Sequence, residues 1–264
     1  YNIAIGYNAA TALTSGGYNI LIGGLAGDAL ITGGENIAIG FAALSSEDGN
    51  GKNIAIGSNA LEDLNAGADA YNIAIGNDAG RNVTTGVQNT IIGGLAGDAL
   101  TTGSYNVAIG HKALTTEDSY GKNTAIGAYA LEYLDAGADA FNVAVGYNSG
   151  NTMSTGLENT LIGASSGDAL NTGGYNVAVG SNALSSATTS SFNVAVGRSA
   201  LYTNILAGRN TAIGHHALYT LNTGVATDTY NTAVGYKAGV AMTTGVQNTT
   251  IGGLAGDALT TGSY

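Results

Sequence analysis

The sequence predicts an all-β protein, a parallel β-solenoid (β-roll) of about 15 coils of 17–21 residues, and three observations carry that expectation. First, an asparagine followed four residues later by a glycine recurs fifteen times, in the frame aromatic or polar residue, Asn, Ile/Val/Thr, usually Ala, Ile/Val, Gly. Second, the interval between copies suits one solenoid turn and is too short for helical-hairpin repeats. Third, Gly is 43 of 264 residues with no Pro, so the glycines mark bends and not a proline-rich linker.

The asparagines are Asn2, Asn19, Asn36, Asn53, Asn72, Asn89, Asn106, Asn123, Asn142, Asn159, Asn176, Asn193, Asn210, Asn231 and Asn248. Their spacings are 17, 17, 17, 19, 17, 17, 17, 19, 17, 17, 17, 17, 21 and 17, and no copy lacks its glycine between Gly6 and Gly252. Positions within a coil are counted here with the Asn as position two.

Asn-Ile-Ala-Ile-Gly, as at Asn2 to Gly6, is short, β-branched and bounded by turn formers, which reads as a strand. Coils stacked about 4.8 Å apart would give fifteen turns a length of about 70 Å. Position five is always Ile or Val, position three is Ile, Val or Thr, and position four is mostly Ala. Neighbouring strand residues face opposite ways, so this strand is apolar on both faces, as in a sheet covered on two sides. One cover is the coil's own interior. The other face is expected to be an outward ladder of Ala with Leu21, Ile91 and Leu161, buried by sister chains, three of them about one axis.

In the second half of the coil a large apolar residue trades places. Leu44, Leu61, Leu114, Leu131, Leu184, Leu201 and Leu218 stand at position ten. Other coils have Gly or Ala there and a large residue at thirteen: Leu13, Leu30, Val83, Leu100, Met153, Leu170, Met242 or Leu259. Close-packed interiors tolerate neither void nor surplus, so each coil is expected to hold one obligatory large side chain. The 19-residue coils carry two, Leu61 with Leu64 and Leu131 with Leu134, and their extra length is expected to form a helical turn or bulge.

Residues 1–264 read as one continuous repeat region, with super-repeats at 1–70, 71–140, 141–229 and 230–264. Tyr1 opens a repeat and Tyr264 opens the next, so the expectation is a fragment of a longer chain. The asparagines are expected to stack as a hydrogen-bonded ladder that sets register, with position-six glycines leaving the strand at positive φ. Gly16, Gly33, Gly86, Gly103, Gly156 and Gly173 are expected at the opposite corner. Eight coils place Tyr or Phe before the Asn, read as corner stacking, with a glycan platform as the sharper alternative.

Formal net charge is −11, and the seven Lys and Arg are scattered singly along the sequence, which argues against a groove for nucleic acid. There are no cysteines for disulfides or thiolate metal sites, and no apolar run approaches the roughly 18 residues of a membrane span.

Asn210-Thr-Ala-Ile-Gly-His-His-Ala-Leu-Tyr-Thr and Tyr230-Asn-Thr-Ala-Val-Gly-Tyr-Lys-Ala-Gly resemble repeats of phage tail-fibre proteins and of related bacterial surface proteins. The whole chain is also similar, more loosely, to the head repeats of trimeric autotransporter adhesins. The resemblance implies a homotrimeric left-handed β-roll, extracellular, at a cell surface or on a virion, used for attachment to a cell-surface receptor or glycan. At 17 residues the coil exceeds that of the adhesin heads, and no receptor-binding tip or C-terminal chaperone is recognisable.

Gly-Gly-Leu-Ala-Gly-Asp-Ala-Leu at Gly23 to Leu30, Gly93 to Leu100 and Gly252 to Leu259 is similar to the calcium nonapeptide of β-rolls. Asp28, Asp98, Asp168 and Asp257 are therefore candidate cation ligands, although a lone carboxylate makes a poor cage and a turn-capping or solvated Asp is the favoured reading. The acidic loops Glu47-Asp48-Gly49 and Glu117-Asp118 are read as solvated surface in preference to a cation site. Among the histidines His111, His215 and His216, the last two are expected to point apart as strand neighbours. No acid, base and nucleophile recur together, so no enzyme and no cofactor are expected. Thr84-Thr85 and Thr101-Thr102 are read as hydrated turn threonines and not as an ice-binding array.

Overall fold

The computed structural model describes residues 1–263. It is all-β, without helix among the described residues, and is a parallel β-solenoid of about 15 coils. Tyr264, expected to open a further repeat, lies outside the described residues. The described residues group into two units, one of Tyr1–Ala128 with Gly137–Asp139, the other of Tyr129–Ala136 with residues from Ala140 onward.

In the first unit the strands are β1 (Ile3–Ile5), β2 (Ile20–Ile22), β3 (Ile37–Ile39), β4 (Ile54–Ile56), β5 (Ile73–Ile75), β6 (Thr90–Ile92), β7 (Val107–Ile109) and β8 (Thr124–Ile126). Each pairs in parallel with the next, so position three sits beside position three along Ile20, Ile37, Ile54, Ile73, Thr90, Val107 and Thr124. In the second unit the main strands are β9 (Val143–Val145), β10 (Thr160–Ile162), β11 (Val177–Val179), β12 (Val194–Val196), β14 (Thr211–Ile213), β16 (Thr232–Val234) and β17 (Thr249–Ile251). The short strands β13 (Ala207–Gly208) and β15 (Thr227–Asp228) pair separately, where the 21-residue coil adds chain.

The strand faces are the reverse of the expectation. Ala38, Ala55, Ala74, Leu21, Ile91 and Leu161, all at position four, are fully buried inside the coil. The β-branched residues at positions three and five point outward and are half-buried to exposed, as with Ile75 and Ile162. The interior takes a single side chain from each strand because it must also hold the leucine of position ten or thirteen.

That leucine trade has a third partner. Leu30, Leu44, Leu61, Leu100, Leu114, Met153, Leu184 and Met242 are all fully buried, whichever position they occupy. Where position ten is Gly, the vacated volume is filled from position four or thirteen: a Cβ on Gly27 would lie 2.8 Å from Leu30 Cδ1 and 2.9 Å from Leu21 Cδ2. A Cβ on Gly80 would lie 2.8 Å from Ile91 Cδ1 of the following coil. The coils of Leu21, Ile91 and Leu161 therefore hold two large side chains each, not one.

Corner chemistry fixes the rest. At position six φ is near +140°, as at Gly23 (141°) and Gly40 (143°), a conformation that side chains disfavour. The 19-residue coils contain loops, not helical turns, closed by Gly67 and Gly137 at φ 68° and 66°.

Candidate functional site

In the first unit the backbone N–H of each ladder asparagine from Asn19 to Asn123 donates to the side-chain Oδ1 of the asparagine one coil earlier, at 2.8 to 3.1 Å. In the second unit the same bonds run from Asn159 back to Asn142 and on through Asn176, Asn193, Asn210, Asn231 and Asn248. Outside the three long coils the side-chain Nδ2 reaches across its own coil, as from Asn2 to Gly16 O (2.8 Å), Asn72 to Gly86 O (2.8 Å), Asn89 to Gly103 O (2.9 Å) and Asn231 to Gly245 O (2.7 Å). One residue thus satisfies a backbone donor of the next coil and a backbone acceptor of its own. In the three long coils the reach is shorter, and Asn53, Asn123 and Asn210 donate to Gly51, Gly121 and Gly208 O.

The candidate cation ligands are not brought together into a cage. Asp28 is half-buried and Asp257 exposed. Asp98 and Asp168 each keep one buried oxygen without a hydrogen-bond partner. Burial pushes both carboxyls above their ordinary range, helped at Asp98 by the nearby Asp78 charge and partly offset by Arg81. A carboxyl raised in the folded state contributes stability below its unfolded value near pH 4, and that contribution is lost as pH rises through the folded value. Asp98→Asn is accordingly expected to stabilise at pH 7, by no more than about 1 kcal/mol, and to have no effect near pH 3, read from urea unfolding at both pH values.

The acidic loops correct the solvated reading. Glu47 and Glu117 are fully buried, and their carboxylates accept from loop backbone: Glu47 from Asn50 N (3.0 Å) and Glu117 from Tyr120 N (3.3 Å). Burial raises Glu47 despite these bonds, while Asp48 and Asp118 remain exposed.

The residues before the ladder asparagines stack as a corner column. Tyr175 and Phe192 are parallel with ring centroids 5.0 Å apart, and the Arg209 guanidinium lies 4.5 Å from the Phe192 centroid. Arg209 also pairs with Asp228 at 2.7 Å. Beside this pair the β13–β15 ledge opens a groove of about 430 Å³ lined by Thr189, Phe192, Leu206, Arg209, Thr227 and Asp228. Sequence reading passed over this groove; the signal for it is the 21-residue interval after Asn210.

His215 and His216 do not point apart. They stand in the turn after β14, with His216 at φ 58°, and their ring centroids are 3.9 Å apart. Strand alternation does not apply to a left-handed turn residue, which swings its side chain toward its neighbour's.

Comparison with protein-family models, with curated proteins and with solved structures finds no match to the chain. No helix of the described residues is long and apolar enough to cross a membrane.

Proposed function

We propose that this solenoid is a structural segment of an extracellular fibre used for attachment, passive in chemistry, in which three copies of the chain pack along their β-faces. The observation that carries the reading is the outward pair of columns at positions three and five. In the first unit Ile22, Ile39, Ile56, Ile75, Ile92, Ile109 and Ile126 form one unbroken aliphatic line in register. Monomers rarely leave so long an apolar strip wet. Buried area here grows with every coil added, so a contact too narrow to hold two coils together holds many. The sister chains therefore belong on the isoleucine strip, and not on the alanine face, which lies inside. The phage or bacterial surface setting, and a left-handed course, rest on the resemblance of the repeats alone.

Light scattering after size exclusion at micromolar concentration is expected to give a trimer mass. A combined Ile39→Glu, Ile56→Glu and Ile109→Glu variant is expected to give a folded monomer, since the replaced side chains reach outward. A wild-type chain that is a stable monomer would overturn the reading.

A further inference from the structure

Charge is unevenly divided along the chain. Residues 169–256 contain Arg198, Arg209 and Lys237 against the single acid Asp228, while the remainder holds 17 acids against 4 Lys and Arg. Asp228 is already paired with Arg209, and neither Arg198 nor Lys237 has a carboxylate within ion-pair distance among the described residues. Spread over the sequence these cations look isolated, but coil stacking gathers two of them. Position seven of three successive coils is Arg198, His215 and Tyr236, and position eight is Ser199, His216 and Lys237. His216 N donates to Arg198 O (3.0 Å) and Lys237 N to His215 O (2.9 Å), which locks the three turns in this order.

An aromatic belt crosses the same place. Tyr202 and Tyr219 stack at 5.1 Å and 4°, His216 lies 4.7 Å from Tyr219, and His215 stacks on Tyr236 at 5.6 Å and 17°. Arg198 and Tyr236 are exposed and the two histidines half-exposed, so the belt is open to solvent. One buried atom, His215 Nδ1, has no hydrogen-bond partner.

We propose that the Arg198, His215, His216 and Lys237 cluster, with Tyr202, Tyr219 and Tyr236, binds a carboxylated saccharide. Cations without a protein carboxylate select a negative charge, Lys237 being held over the Tyr236 ring at 5.4 Å, and the ligand's carboxylate takes the hydrogen bonds that no protein acid supplies. The rings stack face to face, so the belt offers ring edges and the phenol hydroxyls of Tyr202, Tyr219 and Tyr236, which hydrogen-bond saccharide hydroxyls as well as a carboxylate, a second set of contacts that a bare inorganic anion does not use. The proposal stands apart from the fibre reading, because it needs one chain only.

It also gives the affinity a pH dependence of fixed sign. Burial, then the charges of His215, Arg198 and Lys237, hold His216 below its ordinary value. The groups that face it are these cations and the phenol of Tyr219, with no carboxylate among them. A bound carboxylate offsets the positive charges that hold His216 down and favours its protonated form, so binding takes up protons and strengthens as pH falls.

The test is amide and imidazole NMR titration of the full chain with digalacturonate, lactose and inorganic phosphate at pH 7.5 and 5.5. Digalacturonate is expected to shift the His215, His216 and Arg198 resonances, several-fold more tightly at the lower pH, with lactose and phosphate at least about tenfold weaker. An Arg198→Ala, Lys237→Ala variant is expected to lose about tenfold or more in affinity with an unchanged melting temperature. Arg209→Ala, whose cation is engaged elsewhere, is expected to bind as the parent chain does. Absence of shifts at 20-fold excess over about 1 mM protein would overturn the site, and so would lactose or phosphate binding as tightly as digalacturonate.

Discussion

Gly40→Ala is expected to lower the unfolding free energy by about 4 kcal/mol or more, a large loss for a single methyl group. Two costs coincide there. The residue sits at φ 143°, a region open to glycine and closed to side chains. An added Cβ would also stand 2.2 Å from Gly57 O and 2.5 Å from Gly57 C of the next coil. These are backbone atoms held by the ladder, and they cannot swing aside as the end of a flexible side chain would. The next glycine repeats the constraint, since a Cβ on Gly57 would lie 2.2 Å from Gly76 O. Gly67→Ala is the control: φ is 68° and nothing lies within 4 Å of the added carbon, so a loss of about 1–2 kcal/mol is expected from the left-handed backbone alone. Urea unfolding of the two variants separates the terms. A Gly40→Ala loss no larger than that of Gly67→Ala would show that the coils can part without cost.

Asn89→Ala is expected to cost about 2–4 kcal/mol, because it strands two buried backbone groups at once. Asn106 N–H loses its acceptor at 2.9 Å and Gly103 C=O its donor at 2.9 Å. Asn89→Asp separates the two roles. The carboxylate still accepts from Asn106 N–H, yet its second oxygen faces Gly103 C=O without a proton between them. Such a buried carboxyl is raised above its unfolded value, so its stability is present below about pH 4 and lost as pH rises through the folded value. The Asp variant is therefore expected to approach the parent chain in acid and to resemble Asn89→Ala at pH 7, read from unfolding at each pH. A pH-independent Asp variant would mean that the cross-coil bond to Gly103 contributes nothing.

Both results rest on features legible in the bare sequence, which shows that Gly40 and Asn89 recur without exception. The period yields one strand per coil and the register of their pairing. Which face looks inward was not legible, and the reason is specific. Ile37-Ala38-Ile39 is apolar at all three positions, so alternation alone does not assign a side, and a small outward alanine is as consistent with the pattern as a small inward one. Volume settles it: the bore of a 17-residue coil is already filled by Leu44 or Leu30, leaving room for Ala38 and for an occasional Leu21 where Gly27 gives way.

The sites follow the same division. The buried asparagines were found by recurrence, whereas Glu47 reads in sequence as one more acid in a loop, and its burial depends on where the Asn50 and Ala66 amides come to rest. Arg198, His216 and Lys237 are 18 and 21 residues apart and look unrelated until each is placed by its position in the coil. What the sequence determined by itself was therefore everything that repeats: strand, turn, ladder and stacking order, since a constraint imposed by identical neighbours must leave the same residue in every coil. What only the tertiary structure decided was the direction of each face and the company of each charge, because those depend on the volume inside one turn and on the exact length of the turns that separate its neighbours.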